Sequence, residues 1–477
     1  TFPGSSAEFV GGEFRLNGSP FTDSSISLEF QGSDVFTGTF ADGSPFVFSG
    51  LSGDRLNEVT LTQIALPTLD TTPIVVDAQN PIAPNGVRPG QILTLRDAGE
   101  LRNNFAAVDA TLAIEDGIVG SGLKVAQSAV DISGGSVGDG FDAFRSSTVN
   151  LDGGFVGDGF TAAVGTNVNI ASGVVGEFFG ISEGSTANVS GGEIGARASV
   201  SAGSTVNVSG GEIGERAEIY NSTINITGGS IGDQFAAEFG SEVNIRGGAV
   251  GDDFVAGDRS TVNLSGGSVG NRFFADHDSV LNIQGLEFFL DGAPLGLAMH
   301  SPLEITDRDV KLSGRLSDGT PFDFDLVSPP KRDGGDIFTF DATVTITVVP
   351  EPITGDFDVD GDVDGDDVDF FIGNLDQPAT GNFTQLDLDG DGDVTIADHN
   401  FHVTTLVVTS NGVTGALLGD VNLDGVVDVL SDAFALVANL GQSATSRSQG
   451  DLNADGATTV LGDAFILISD LGQSNDP

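Results

Sequence analysis

Cysteine is absent from the 477 residues, which excludes disulfides and thiol chemistry. Tryptophan is absent too, and tyrosine occurs once, at Tyr220, leaving few platforms for stacking against sugars. Basic residues are scarce. Eighteen Lys and Arg stand against 69 Asp and Glu, a net charge of −51 that repels nucleic acid and anionic membranes. No apolar run reaches the roughly 18 residues of a membrane span. Histidine is confined to His277, His300, His399 and His402. His277 sits between Asp276 and Asp278 with Arg272 nearby, a pattern that reads as a solvated turn rather than a site. No catalytic constellation emerges, and the chain reads as a non-enzyme.

What the chain does have is period. Val-Gly or Ile-Gly returns at Val119, Val137, Val156, Val175, Ile194, Ile213, Ile231, Val250 and Val269, at intervals of 18 or 19 residues. A second column holds Asp131 and then Asn150, Asn169, Asn188, Asn207, Asn225, Asn244, Asn263 and Asn282. A third holds Phe141, Phe160, Phe179, Ala198, Ala217, Phe235, Phe254 and Phe273. Such periods mean stacked coils, each unable to bury its apolar side alone. Nineteen residues are too few for a helix pair and fit one turn of a three-sided parallel β-helix. The β-branched V-N-I stretch suits a strand and Gly-Gly a tight bend. The Asn column has two readings, an outward position by period 2 or a hydrogen-bonded internal ladder. A further column, Asp139, Asp158, Glu177, Ala196, Glu215, Asp233, Asp252 and Asn271, is mostly acidic and reads as a solvated edge, with a weak calcium- or glycan-binding stripe as the alternative. A six-residue period over 18-residue coils would suit a left-handed helix, but the bulky Phe and seven-residue steps fit it poorly, and the repeat resembles the 19-residue coils of right-handed β-helices in secreted adhesins.

The segments flanking the repeats resemble each other. E-F-R-L-N-G-S-P-F (Glu13–Phe21) matches E-F-F-L-D-G-A-P-L (Glu287–Leu295), and F-A-D-G-S-P-F-V-F (Phe40–Phe48) matches L-S-D-G-T-P-F-D-F (Leu316–Phe324). Each is expected to form a small β module that caps or continues the rod. The chain reads as starting inside a coil, so the expectation is a cleaved precursor or an open end that stacks on a neighbour. Pro81–Gly90 and Val348–Thr354 read as boundaries. The expected organisation is a β module over 1–80, a linker or cap over 81–110, the β-helix over 111–285, a second β module over 286–350, and two further modules over 351–410 and 411–477.

Those last two modules carry the most specific signal. Twenty-three aspartates, no glutamate and one basic residue, Arg447, lie between Gly355 and Pro477. They fall at alternate positions around a glycine, the spacing of EF-hand-type calcium loops, where oxygen ligands at positions 1, 3 and 5 precede a sharp turn. Loop one would use Asp356, Asp358, Asp360, the carbonyl of Asp362, Asp364 and Asp367. Loop two would use Asp387, Asp389, Asp391, the carbonyl of Asp393, Thr395 and Asp398. Loops three and four place Ser431 and Gly462 at position 12, with an aspartate just after. They read as 13-residue loops using Asp420, Asn422, Asp424, Asp428 and Asp432, and Asp451, Asn453, Asp455, Thr459 and Asp463. An apolar helical segment follows each loop, which a disordered acidic tail would lack. About four Ca2+ ions are therefore expected.

Loop plus following helix, duplicated, resembles the dockerin module of secreted bacterial assemblies. The resemblance covers the last quarter of the chain. It implies folding on two calcium ions per module and a cohesin-type partner, with contacts from loop positions 10 and 11. Those read Gly365 and Asp366, then Ile396 and Ala397, not the Ser-Thr pair of the best-known dockerins. The sequence as a whole points to an extracellular or cell-surface structural protein, a calcium-stabilised homopolymer joined through subunit ends and these modules. The alternative is a polysaccharide-binding or polysaccharide-degrading β-helix tethered by its dockerins.

Overall fold

The computed structural model describes residues 8–28, 32–54, 56–329, 335–351, 353–357, 363–372, 386–388, 392–409, 412, 414–440, 446–453, 458–459 and 462–474. It is mainly β and divides into two compact units, Thr1–Val349 and Pro350–Pro477.

The first unit is built on a β-solenoid of about eleven turns. A turn contributes three strands, as in Thr186–Val189, Glu193–Ile194 and Ser199–Ser201. Each pairs in parallel with its counterpart one turn on, so Asn188 stands beside Asn207, Ile194 beside Ile213 and Val200 beside Ile219. Alternation along the strand does the sorting. In Thr205–Val208, both valines are buried while Thr205 and Asn207 are half-buried. Between the first and second strands the chain turns on Gly-Gly. A Cβ on Gly210 would lie 2.3 Å from the Ser190 carbonyl oxygen, and Gly211 has a φ of +73°, so neither position tolerates a side chain.

The Phe column is buried and stacked. Phe141 and Phe160 lie 4.5 Å apart at 5°, Phe235 and Phe254 4.9 Å apart at 20°. Ala198 and Ala217 interrupt it, and the volume is made up two residues later. Positions held by Ala143, Ala162, Ala237, Ala256 and Ala275 beside Phe, but by Ile181 beside Phe179, are held by Val200 and Ile219 beside the two alanines. The remaining apolar void, between Phe179 and Phe235, is only about 20 Å³.

A further column was not read from the sequence. Ser128, Ser147, Thr166, Ser185, Ser204, Ser222, Ser241, Ser260 and Ser279 are buried at the corner before the first strand. Ser147 Oγ accepts from Ser128 N (3.2 Å), Ser185 Oγ from Thr166 N (3.0 Å) and Ser204 Oγ from Ser185 N (3.2 Å). These hydroxyls satisfy corner donors where water is excluded.

The Asn column takes the outward position and is not an internal ladder, yet its side chains are bonded to one another. The side chains point outward by period 2 and are half-buried, yet each Nδ2 donates to the Oδ1 one turn back. The chain runs from Asn282 through Asn263, Asn244, Asn225, Asn207, Asn188, Asn169 and Asn150 to Asp131, at 2.7–2.9 Å per step.

The two flanking modules share a topology. Glu8–Leu16 pairs in parallel with Leu56–Gln63 and antiparallel with Val35–Phe40, as Val280–Leu290 does with Thr343–Val348 and Lys311–Leu316. The second module continues the solenoid: Thr343–Val348 and Ile337–Phe338 add parallel strands to its end. The first does not cap an end, contrary to expectation. It lies on the flank, where Val35 and Val47 pack with Val108, Ala126, Phe144 and Ala163 on the third face. Three isolated cations hold it there: Lys124 Nζ to Asp54 (2.6 Å), Arg88 to Glu13 (3.0 Å) and Arg145 to the Asn17 carbonyl (2.8 Å). Pro81–Gly90, read as a boundary, already carries Gly86–Val87, which pairs with Ala106–Ala107 in the solenoid.

The second unit has four short α-helices among its described residues: α1 (Gly365–Ile372), α2 (Ile396–Phe401), α3 (Phe434–Asn439) and α4 (Asp463–Asp470). Each follows one acidic loop. Val363, Val368, Ile372, Val403, Val407, Ala416 and Leu423 form one core cluster that joins the two repeats. Arg447 is 1 % exposed and donates to the carbonyls of Leu417, Leu418 and Asp420, while its own N–H donates to Asp369 at 2.7 Å. Burial lowers its guanidinium to about 10, against the raising effect of Asp420, Asp432 and Asp369.

Candidate metal centre

Each acidic loop is closed by its last aspartate. Asp367, Asp398, Asp432 and Asp463 are all at most 1 % exposed. One carboxylate oxygen accepts from the backbone N–H of loop position 2: Phe357 for Asp367, Leu388 for Asp398 (2.8 Å), Val421 for Asp432 (2.8 Å) and Leu452 for Asp463 (2.7 Å). The other accepts from position 9: Asp364 (2.9 Å), Thr395 (2.9 Å), Asp428 (2.8 Å) and Thr459 (2.7 Å). Asp432 accepts two further bonds, from Asn422 N and Ser431 Oγ, and Asp463 two, from Asn453 N and Thr459 Oγ1, which engages the roughly four lone-pair sites of each carboxylate.

The same clamp therefore forms in 12- and 13-residue loops. The extra residue is absorbed at the start of the helix. After the shorter loops, Val368 N and His399 N donate four residues back, to Asp364 and Thr395. After the longer ones, Ala433 N and Ala464 N donate five residues back, to Asp428 and Thr459. This π-type turn lets Asp432 and Asp463 take the place that Asp367 and Asp398 hold. Position 9 also caps the helix. Thr395 Oγ1 accepts from Ala397 N (3.1 Å), with Asp398 completing a capping box.

Position 1 shapes the turn. Asp387 accepts from Gly392 N (3.0 Å), and Asp420 accepts from Asp424 N (3.1 Å) and Gly425 N (2.8 Å). Gly392 and Gly425 have φ of +99° and +89°, which a side chain at loop position 6 would strain. Burial raises the Asp420 carboxyl to about 6, and the charges of Asp432 and Asp424 add to the effect. No three His, Asp or Glu side chains among the described residues stand close enough together to hold a metal ion. Asp420, Asp424 and Asp432 act on one another without converging. The oxygen-only donor set, carboxylates with Asn422, Asn453, Thr395 and Thr459, is the chemistry a hard cation takes. Asp358, Asp360, Asp362, Asp389, Asp391 and Asp455 lie outside the described residues.

The acidic column of the solenoid has a structural task. Asp139 accepts from Asp158 N (3.1 Å), Asp158 from Glu177 N (2.9 Å) and Asp233 from Asp252 N (2.9 Å). Arg197 pairs with Glu177 (3.2 Å) and Arg272 with Asp252 and Asp253. His277 is 69 % exposed beside Asp276. No helix among the described residues is long and apolar enough to cross a membrane. The chain matches no protein-family model, no curated protein and no solved structure.

Proposed function

We propose that this is an extracellular structural protein, a β-solenoid rod carrying two dockerin-like modules that bind about four calcium ions and join the rod into a fibre, matrix or surface layer. The observation that carries the reading is the fourfold recurrence of one clamp, in a unit whose only basic residue is buried in its core. Asp356, Asp387, Asp420 and Asp451 would open the sites, and Asp367, Asp398, Asp432 and Asp463 would close them. Calcium would supply charge compensation there, and metal-binding energy would become folding energy. Millimolar affinities, typical of extracellular modules, would suffice outside cells. Phe434 and Val437 on α3, and Phe465 and Ile468 on α4, are exposed at matching positions. They offer an apolar face to a neighbouring subunit or to a cohesin-type receptor.

The test is sedimentation and far-UV circular dichroism of the whole chain in millimolar calcium and then in excess chelator. Calcium should produce polymers, and chelation should lose helical signal while the β signal stays. Helicity that survives chelation unchanged removes the metal from the reading. A monomer at high concentration in both buffers removes self-assembly and leaves the modules to a separate receptor.

A further inference from the structure

The first β module repeats the second strand for strand, so the two can be compared position by position. Register and sequence align Glu8, Phe9, Phe40, Asp42 and Phe48 with Asn282, Ile283, Leu316, Asp318 and Phe324.

In the second module, three features engage the solenoid. The strand Val280–Leu290 takes Thr261–Val269 of the preceding turn as a parallel neighbour, with Asn263 beside Asn282 and Leu264 beside Ile283. That neighbour then passes Gly266 and Gly267 under Asp318. Asp318 Oδ2 accepts from Gly267 N at 2.7 Å, and a Cβ on Gly266 would lie 2.6 Å from the same oxygen. Leu312, Leu316 and Phe324 join the solenoid core, where Phe324 packs on Phe273 at 5.6 Å.

In the first module the same features stand open. The strand Glu8–Leu16 has Leu56–Gln63 on one side and Val35–Phe40 on the other, where pairing begins only at Gly11. Among the described residues, no strand lies beside residues 8–10 on that second side. Asp42 is exposed and bonds only within its own turn, to Ser44 at 2.9 Å. Phe9, Phe40 and Phe48 are the half-buried edge of a separate cluster, with Phe9 5.4 Å from Phe40 and 5.5 Å from Phe48. The module meets its own flank through the reverse face, with Val35 and Val47, whose counterparts Lys311 and Asp323 are exposed. Docking there uses the side that the second module turns to solvent.

An unpaired strand edge templates pairing with another chain. The second module shows what this edge takes: a parallel strand, apolar at alternate positions, followed by Gly-Gly under an aspartate. In this chain the turn that offers such a strand is already engaged by the second module, so a second copy is not the occupant. We propose that the first module seats the end coil of a β-solenoid on another polypeptide, a coil of the Thr-Val-Asn-Leu-Ser-Gly-Gly type. The joint goes beyond the calcium reading, and its test is run in chelator, so the failure of one leaves the other standing.

The chain has no cysteine, so one engineered pair reports alone. Glu8→Cys is made in the whole chain, and the probe is a synthetic peptide of residues 242–270 carrying Asn263→Cys. In a glutathione buffer the two should form a disulfide at least about tenfold faster than with a peptide carrying Thr261→Cys, which is two residues out of register. Asp42→Asn keeps an acceptor for Ser44 N but removes one from the Gly-Gly bend, and should lower the yield several-fold. Because a free peptide must order before it pairs, residues 242–279 are also fused in place of residues 1–5, bringing the same cysteines together in one chain. No excess at the paired position in either format overturns the proposal, as does a yield indifferent to Asp42→Asn.

Discussion

The trade of volume inside the solenoid can be tested by moving it. Ile219 is 1 % exposed, and truncation to Ala would open a cavity costing about 2–5 kcal/mol. Ala217→Phe alone must fit a ring beside Ile219 where the void is about 20 Å³, and such overpacking costs about 1–3 kcal/mol. The two changes together recreate the Phe235 and Ala237 pair of the next turn and let the new ring stack on Phe235. A volume-conserving exchange should cost less than about 1.5 kcal/mol. The double-mutant cycle should therefore show a favourable coupling of about 1.5 kcal/mol or more. Urea unfolding followed by the β signal measures each variant, with m-values compared because a repeat array can lose cooperativity. A double mutant as unstable as the sum of its singles would refute the idea that these columns share one space.

Three other perturbations probe the remaining features. Asp432→Ala strips the acceptor from the buried Val421 N, at about 1–3 kcal/mol, and from the half-buried Asp428 N; an unchanged urea midpoint would show that the clamp does not hold loop three. In the amide ladder, Asn207→Asp cannot donate to Asn188 and should cost about 1–3 kcal/mol, whereas Asp131→Asn, at the accepting end, should fall within about 0.5 kcal/mol of the parent; equal losses would deny the ladder its direction. His402 is buried with Nε2 2.9 Å from the Gly355 carbonyl, and burial lowers it to about 4 from 6.5. The unfolded chain takes up that proton first, so stability present above pH 6.5 is lost as pH falls towards 4, by at most about 3 kcal/mol. His399, also lowered to about 4 by burial, adds to the same window, so His402→Gln should reduce the slope rather than abolish it, and an identical slope would assign the proton elsewhere.

The solenoid was legible because its columns repeat with little variation, and stacking turns bring each column into register. The buried Ser and Thr column was not, because those residues also fill the exposed turns and nothing in their identity marks which are inside. Strand period and cross-turn bonding were set against each other for the asparagines, yet a side chain that points outward still reaches its neighbour one turn away. The likeness of the two β modules was plain. Their different placement was not, since it depends on three scattered cations, Lys124, Arg88 and Arg145, whose partners lie 70, 75 and 128 residues away. In the acidic loops, the spacing from position 9 to the last aspartate, two residues between in Asp364 to Asp367 and three in Asp428 to Asp432, told where the extra residue lies. That a π-type turn takes it up follows only from the backbone.

The amide ladder has a sense as well as a length. Every Asn donates towards the N-terminal turn, so the side-chain dipoles along this face add head to tail rather than cancel, and each bond polarises the next. The row ends in Asp131, which has nothing to donate and closes the series as a pure acceptor. A turn inserted or deleted between Asp131 and Asn282 alters neither terminus of the row. Length can therefore change in steps of one strand spacing, about 4.8 Å, while the rod keeps a defined forward and backward direction written in its side chains.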